Sequence, residues 1–120
     1  MSVYLENEVG KIIIEDQTIA KIAGMTAMEC YGLVGMAPSS TTDGLVELLK
    51  GENVTKGVKV HVEEDTNLII DLYVIMQFGT KISAVAKNVI ETVKYNVETY
   101  TGLPVFKVNI HVQGVRIQNN

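Results

Sequence analysis

Three segments of this chain alternate apolar and polar residues with a period of two, and a fourth repeats apolar residues at helical spacing. Val58, Val60 and Val62 alternate with Lys59, His61 and Glu63. From Leu68 to Phe78, Leu68, Ile70, Leu72, Val74 and Met76 share one face. Ile69, Asp71, Tyr73, Ile75 and Gln77 share the other. Phe106, Val108, Ile110 and Val112 alternate with Lys107, Asn109, His111 and Gln113. Successive side chains of a strand point to opposite faces, so this pattern predicts a sheet covered on one face only. The cover must come from elsewhere in the chain. Ile82, Val85, Ala86, Val89, Ile90, Val93 and Val97 form one continuous helical stripe, which supplies it.

A second helix is predicted upstream. Ile19, Ile22, Ala23, Thr26, Ala27 and Cys30 fall on one helical face, with Asp16 or Thr18 as its cap and Gly32 as its stop. Gly10 to Ile14 reads as a short strand before it, and Leu33 to Ala37 as a short apolar segment after it. Ser39 to Gly44 is a polar loop, and Leu45 to Lys50 a short helix closed by Gly51. Glu64 to Asn67 turns the chain between two strands. Thr80 is the expected cap of the long helix, and Gly102 with Pro104 its end. Val and Ile account for 29 of 120 residues, an excess that suits strands. In the long helix the same residues mean that packing, more than propensity, holds it. The expected architecture is α+β. It is a two-layer α/β sandwich, with a small, mostly antiparallel sheet and two amphipathic helices on one face. One domain spans residues 1–120.

Composition excludes several classes. No apolar run approaches the ~20 residues needed to cross a bilayer, so no direct membrane insertion is expected. Met1 to Gly10 carries Glu6 and Glu8 and no basic stretch, so it does not read as a signal peptide. One Cys allows neither an internal disulfide nor a cysteine-based zinc site. The net charge of −4 opposes nucleic-acid binding, which needs a basic surface. The expected location is the cytoplasm.

Few residues invite chemistry. Gly32 to Gly35 forms a G-x-x-G tetrapeptide, which clamps a nucleic-acid backbone in KH-type modules. Here no Lys or Arg lies between Lys21 and Lys50, and a glycine helix stop is favoured. Cys30 lies near a helix C-terminus, the wrong end of the dipole for an activated thiol. His61, Asp71 and His111 all fall on polar strand faces. Two imidazoles and a carboxylate suit a divalent metal, but a solvated sheet face, the usual fate of polar strand positions, is favoured over a metal site. No catalytic residue, metal site or cofactor is nominated. Ile69, Tyr73 and Ile75 lie on the face expected to be wet, and Met25 and Met28 lie off the main stripe of the first helix. Surplus apolar surface marks an interface unless the N-terminal segment or the 39–56 region covers it, so these five are the candidate contact residues for self-association or a partner protein.

The chain resembles the alkaline shock protein family. The likeness is carried by Gly10 to Ile14, Ile19 to Ala23, Glu29 to Gly32 and Val34 to Met36. It continues through Phe78-Gly79, Ile82, Val85-Ala86, Val93, Val97-Glu98, Thr101 to Val105 and Val108 to Val115. It spans residues 9 to 116 and is similar to the compact, YloU-type branch found in Gram-positive bacteria. The resemblance implies a cytoplasmic protein tied to cell-envelope stress. It also implies a place at the membrane through a small integral anchor protein in some members, and gene neighbours in lipid metabolism in others. It implies no enzymatic activity and no catalytic residues. The expected function is a non-enzymatic scaffold or adaptor acting by protein binding. The alternatives are a KH-like RNA-binding module and a sensor of an acyl or lipid metabolite.

Overall fold

The structure is a computed structural model that describes residues 2–39, 48–49, 51–64 and 66–117. The described elements are β1 (Ser2–Glu6), β2 (Lys11–Glu15), α1 (Asp16–Met28), β3 (Leu33–Met36), a 3₁₀ turn (Gly51–Gly57), β4 (Val58–Glu63), β5 (Asn67–Gln77), α2 (Ile82–Thr101) and β6 (Val105–Arg116). The fold is α+β, as the patterning predicts. Apart from Ser39, the Ser39 to Gly44 loop lies outside the described residues, and so does most of the helix expected over Leu45 to Lys50. Leu49, which is described, forms an isolated bridge to Met36.

β5 is the organising strand of the main sheet. On one flank it pairs antiparallel with β3 through Val74 to Met76 and with β4 through Asn67 to Leu72. The two shorter strands thus lie end to end along one side. On the other flank β6 pairs along nearly the whole of β5, and it is parallel. Parallel neighbours need a crossover, and α2 provides it.

Both helices pack on the face that carries Leu68, Ile70, Leu72, Val74 and Met76, and with them close the core. Val89, Val93 and Val97 of α2 are wholly buried. Each contributes about 1.5–3 kcal/mol by leaving water, which outweighs the modest helix propensity of valine. Asn96 of α2 donates to the hydroxyl of buried Thr26 on α1 at 3.2 Å. This satisfies the one polar side chain counted among the buried described residues.

Four local expectations are corrected. Neither Asp16 nor Thr18 caps α1, because the helix begins at Asp16 itself and Glu15 holds the cap position without a side-chain bond. Thr80 does not cap α2. Lys81 occupies that position, and the Thr80 hydroxyl donates instead to the Gln77 carbonyl at 2.7 Å. Gly32 does not end α1, whose cap is Glu29. Phe106 is 54% exposed, because a register shift next to it takes it out of the alternation. The Gly102 stop holds, in a left-handed conformation with φ 77°, which glycine adopts without strain.

β1 is an element the patterning missed. It pairs with β2 as a separate two-stranded ribbon, turned by Asn7, whose Oδ1 accepts from the backbone of Val9 and Gly10. Val3 and Leu5 share its half-buried face and Ser2, Tyr4 and Glu6 its exposed one, a short alternation that the Asx-type turn at Asn7 accompanies.

Candidate functional site

The open face of the main sheet gathers the polar strand positions. Parallel pairing sets His111 of β6 beside Tyr73 and Asn109 beside Asp71, while β4 sets Lys59 against Asp71 and His61 against Ile69. Asp71 sits at the centre. Its Oδ1 accepts from Asn109 Nδ2 at 3.1 Å and from His111 Nε2 at 3.0 Å. His61 Nδ1 lies 3.7 Å from Oδ2, and its Nε2 lies 3.8 Å from Glu63. The His111 ring stacks on Tyr73 with centroids 4.3 Å apart and planes 9° from parallel. Partial burial pushes the Asp71 carboxyl up. The hydrogen bonds from His111 and Asn109, with the charge of both imidazoles, overcome this and leave it below the ordinary carboxylate value. The three residues His61, Asp71 and His111 therefore do meet. Among the described residues, no group of three His, Cys, Asp or Glu is placed to hold a metal ion.

Two of the five candidate contact residues are not at the surface. Ile69 and Ile75 are buried, at 5% and 0% exposure. Ile75 lies in register between Gly35 on β3 and Gly114 on β6. The space that a Cβ on Gly35 would occupy is taken by the Leu48 side chain, which lies over this part of the face. Ile69 lies in register between His61 and Lys107. Tyr73 is half-buried against His111.

Met25 is exposed, while Met28 is half-buried against the core. Met25 lines a groove of about 330 Å³ between the helices, with Ile22 and Thr26 of α1 and Asn96 and Tyr100 of α2. Lys21 and Glu29 lie at its rim. Tyr100 is 70% exposed and was not legible as a partner of Met25, because placing both helices on one face of the sheet does not say which of their turns meet.

The G-x-x-G tetrapeptide serves packing. Gly32 has φ +92° and presses on Val85, where a Cβ would fall 2.6 Å from Cγ2. Val85 and Leu48 fill the spaces beside Gly32 and Gly35. Cys30 is half-buried just past the end of α1, and its thiol points to the Thr26 carbonyl at 3.5 Å. Burial pushes this thiol up, against a hydrogen bond with Thr92 and with help from Glu29, so the thiolate that nucleophilic chemistry needs is suppressed.

Comparison with known proteins places the chain. Residues 4–117 match the model of the alkaline shock protein 23 family, described as having a cell envelope-related function. The chain belongs to the alkaline shock protein family. Among its relatives, the uncharacterised protein YloU of Bacillus subtilis is 48% identical over 120 residues, 99% of each chain. Spy1614 of Streptococcus pyogenes is 40% identical over 118 residues, 98% of this chain and 97% of the relative. A homologue of the stress response regulator gls24 from Streptococcus pyogenes is 24% identical, covering 89% of this chain but 59% of the longer relative. No solved structure matches the chain.

Proposed function

We propose that this alkaline shock family protein is a non-enzymatic adaptor in cell-envelope homeostasis that works by binding another protein. The carrying observation is the groove between α1 and α2, where Met25 and Tyr100 stay exposed beside a well-filled core. Methionine lends such a surface adaptability, and an amphipathic helix is the usual occupant of a groove between helices. Family membership supplies the cell-envelope setting. No described helix is long and apolar enough to cross a membrane. In this reading a place at the membrane comes through the partner, with the body of the protein in the cytoplasm. The suppressed thiolate of Cys30 accords with a binding role.

Affinity capture from native cells, read by mass spectrometry, tests this reading. The wild-type chain retains a specific partner. Met25→Glu and Tyr100→Glu lose it while keeping the wild-type unfolding temperature. Equal retention by both variants removes the groove from the mechanism.

A second reading rests on a cleft of about 470 Å³ between the ribbon and the end of the main sheet. Val3, Leu5, Val62, Leu68 and Leu103 line it. A small apolar ligand fits such a lining, which is the chemistry a metabolite sensor requires. Native mass spectrometry with a medium-chain fatty acid tests it: a retained 1:1 adduct lost in Leu68→Gln supports the reading, and no adduct removes it.

A further inference from the structure

α1 is almost wholly enclosed. α2 packs along one side of it, where Asn96 reaches Thr26, and the 3₁₀ turn packs along the other, where Val54 meets Gly24. Between Asp16 and the cap Glu29, only Gln17, Thr18, Lys21, Met25 and Glu29 stay exposed. The middle of that strip is a patch centred on Met25, which is 43% exposed. Ile22 and Met28 lie three positions before and after it, and both are half-buried. Lys21 and Glu29 lie four positions before and after it, and both are exposed. Residues three and four apart are neighbours on a helix surface, so the five make one face. It has a thioether at its centre, an apolar side chain on either side, a cation at one end and an anion at the other. Tyr100 of α2 flanks it.

We infer that two copies of this chain pair through this patch, α1 against α1, antiparallel about a two-fold axis at Met25. The inference rests on the reading of the groove beside α1 as a docking surface, and it names the occupant as a second copy. A helix of another protein must then displace that copy.

The order of side chains selects the arrangement. The two-fold pair sets Met25 against Met25, Ile22 of each copy against Met28 of the other, and Lys21 of each against Glu29 of the other. Apolar side chains meet apolar ones, and each charge meets its opposite. A parallel pair in register would set Lys21 against Lys21 and Glu29 against Glu29, and like charges across an interface repel. Methionine suits the axis because its unbranched side chain adapts to what it meets. The same patch serves both copies, so the interface is self-complementary and closes at two. One helix face buries less than the ~800 Å² per partner of a standard interface, so the expected dissociation constant is on the order of 30 µM.

Light scattering at about 300 µM, tenfold above that value, is expected to approach twice the 13.1 kDa chain mass. Lys21→Glu alone and Glu29→Lys alone are each expected to weaken the dimer at least tenfold with an unchanged unfolding temperature, because each turns two attractions into two repulsions. An equimolar mixture of these two variants is expected to restore it, since each supplies the charge the other lacks. Cross-linking locates the axis. In a Cys30→Ser background, Met25→Cys is expected to form a disulfide dimer under mild oxidation. Packed helix axes lie about 8–10 Å apart with Cα atoms ~2.3 Å from each axis, which brings facing Cα atoms within the range a disulfide spans. Asn88→Cys, exposed near the start of α2, is expected not to cross-link. A wild-type monomer at this concentration, a dimer that Met25→Cys does not cross-link, or a dimer indifferent to the charge reversals each overturns the inference. The adaptor reading fails separately. A monomeric chain whose Met25→Glu variant loses the captured partner keeps that reading and overturns this one, and a charge-dependent dimer whose Met25→Glu and Tyr100→Glu variants retain the partner does the reverse.

Discussion

His111 Nε2 lies 3.0 Å from Asp71 Oδ1, and the two residues come from neighbouring parallel strands, 40 positions apart in the chain. The contact ties β6 to β5 on the face the helices do not cover. It also fixes the direction of the first pH prediction. The folded Asp71 carboxyl is held below its ordinary value, so the ionised form favours the folded state. That stabilisation is fully present above the unfolded carboxylate range near pH ~4 and is lost as pH falls through the lowered folded value. Urea unfolding at pH ~7 and pH ~3 is expected to show a smaller loss in Asp71→Asn than in the wild type. At neutral pH, Asp71→Asn is expected to cost about 1–2 kcal/mol, the scale of a charge-assisted hydrogen bond partly open to solvent. Equal pH slopes for the two proteins would contradict the assignment.

The same cluster is not arranged to hold a metal. Each imidazole approaches a different oxygen of Asp71, whereas metal ligands converge on one point about 2 Å from each donor. Zinc titration by calorimetry at micromolar protein is expected to give no saturable heat, and a stoichiometric binding curve would refute this.

Gly32 carries a heavier constraint than its neighbours. Its φ of +92° disfavours any side chain, and the space beside it belongs to Val85. Gly32→Ala is expected to lose about 2–4 kcal/mol, combining backbone strain with overpacking. Val85→Ala in the same chain is expected to return part of that loss, since it removes the clash and leaves the strain. Strict additivity of the two substitutions in chemical denaturation would argue against the contact.

Glu98 and Lys94 jointly close the first edge position of β6, through the N–H and the carbonyl of Val105. The hydrogen bond from the Val105 N–H, set against a small burial effect and joined by the Lys94 charge, lowers the Glu98 carboxyl. Its contribution is therefore present at neutral pH and fades as pH falls through the lowered value. In Glu98→Gln the Val105 amide is expected to exchange with solvent several-fold faster by NMR, with stability changed by less than about 1 kcal/mol. An unchanged exchange rate would show that the carboxylate does not protect this edge.

Much of the fold was legible because alternation and helical spacing are local properties. Lys59, His61 and Glu63 face away from the core just as their spacing requires. The parallel placement of β6 was not legible, since a strand looks the same whichever neighbour it takes. The candidate site divides similarly. His61, Asp71 and His111 were each visible as polar strand positions, and their meeting was not. Met25 was visible on α1, and Tyr100 opposite it was not.

The sequence by itself determined which residues of β4 and β5 share a face, where α2 stops at Gly102, and that two helices must cover one side of a sheet. These follow from side-chain geometry within a few residues of chain. Only the tertiary structure decided which apolar residues on the other side stay wet. Ile75 is buried because it lies between Gly35 and Gly114 with Leu48 filling the space above Gly35. That outcome depends on strand register and on the contact of Leu48 with Gly35, and neither is a property of the alternation itself.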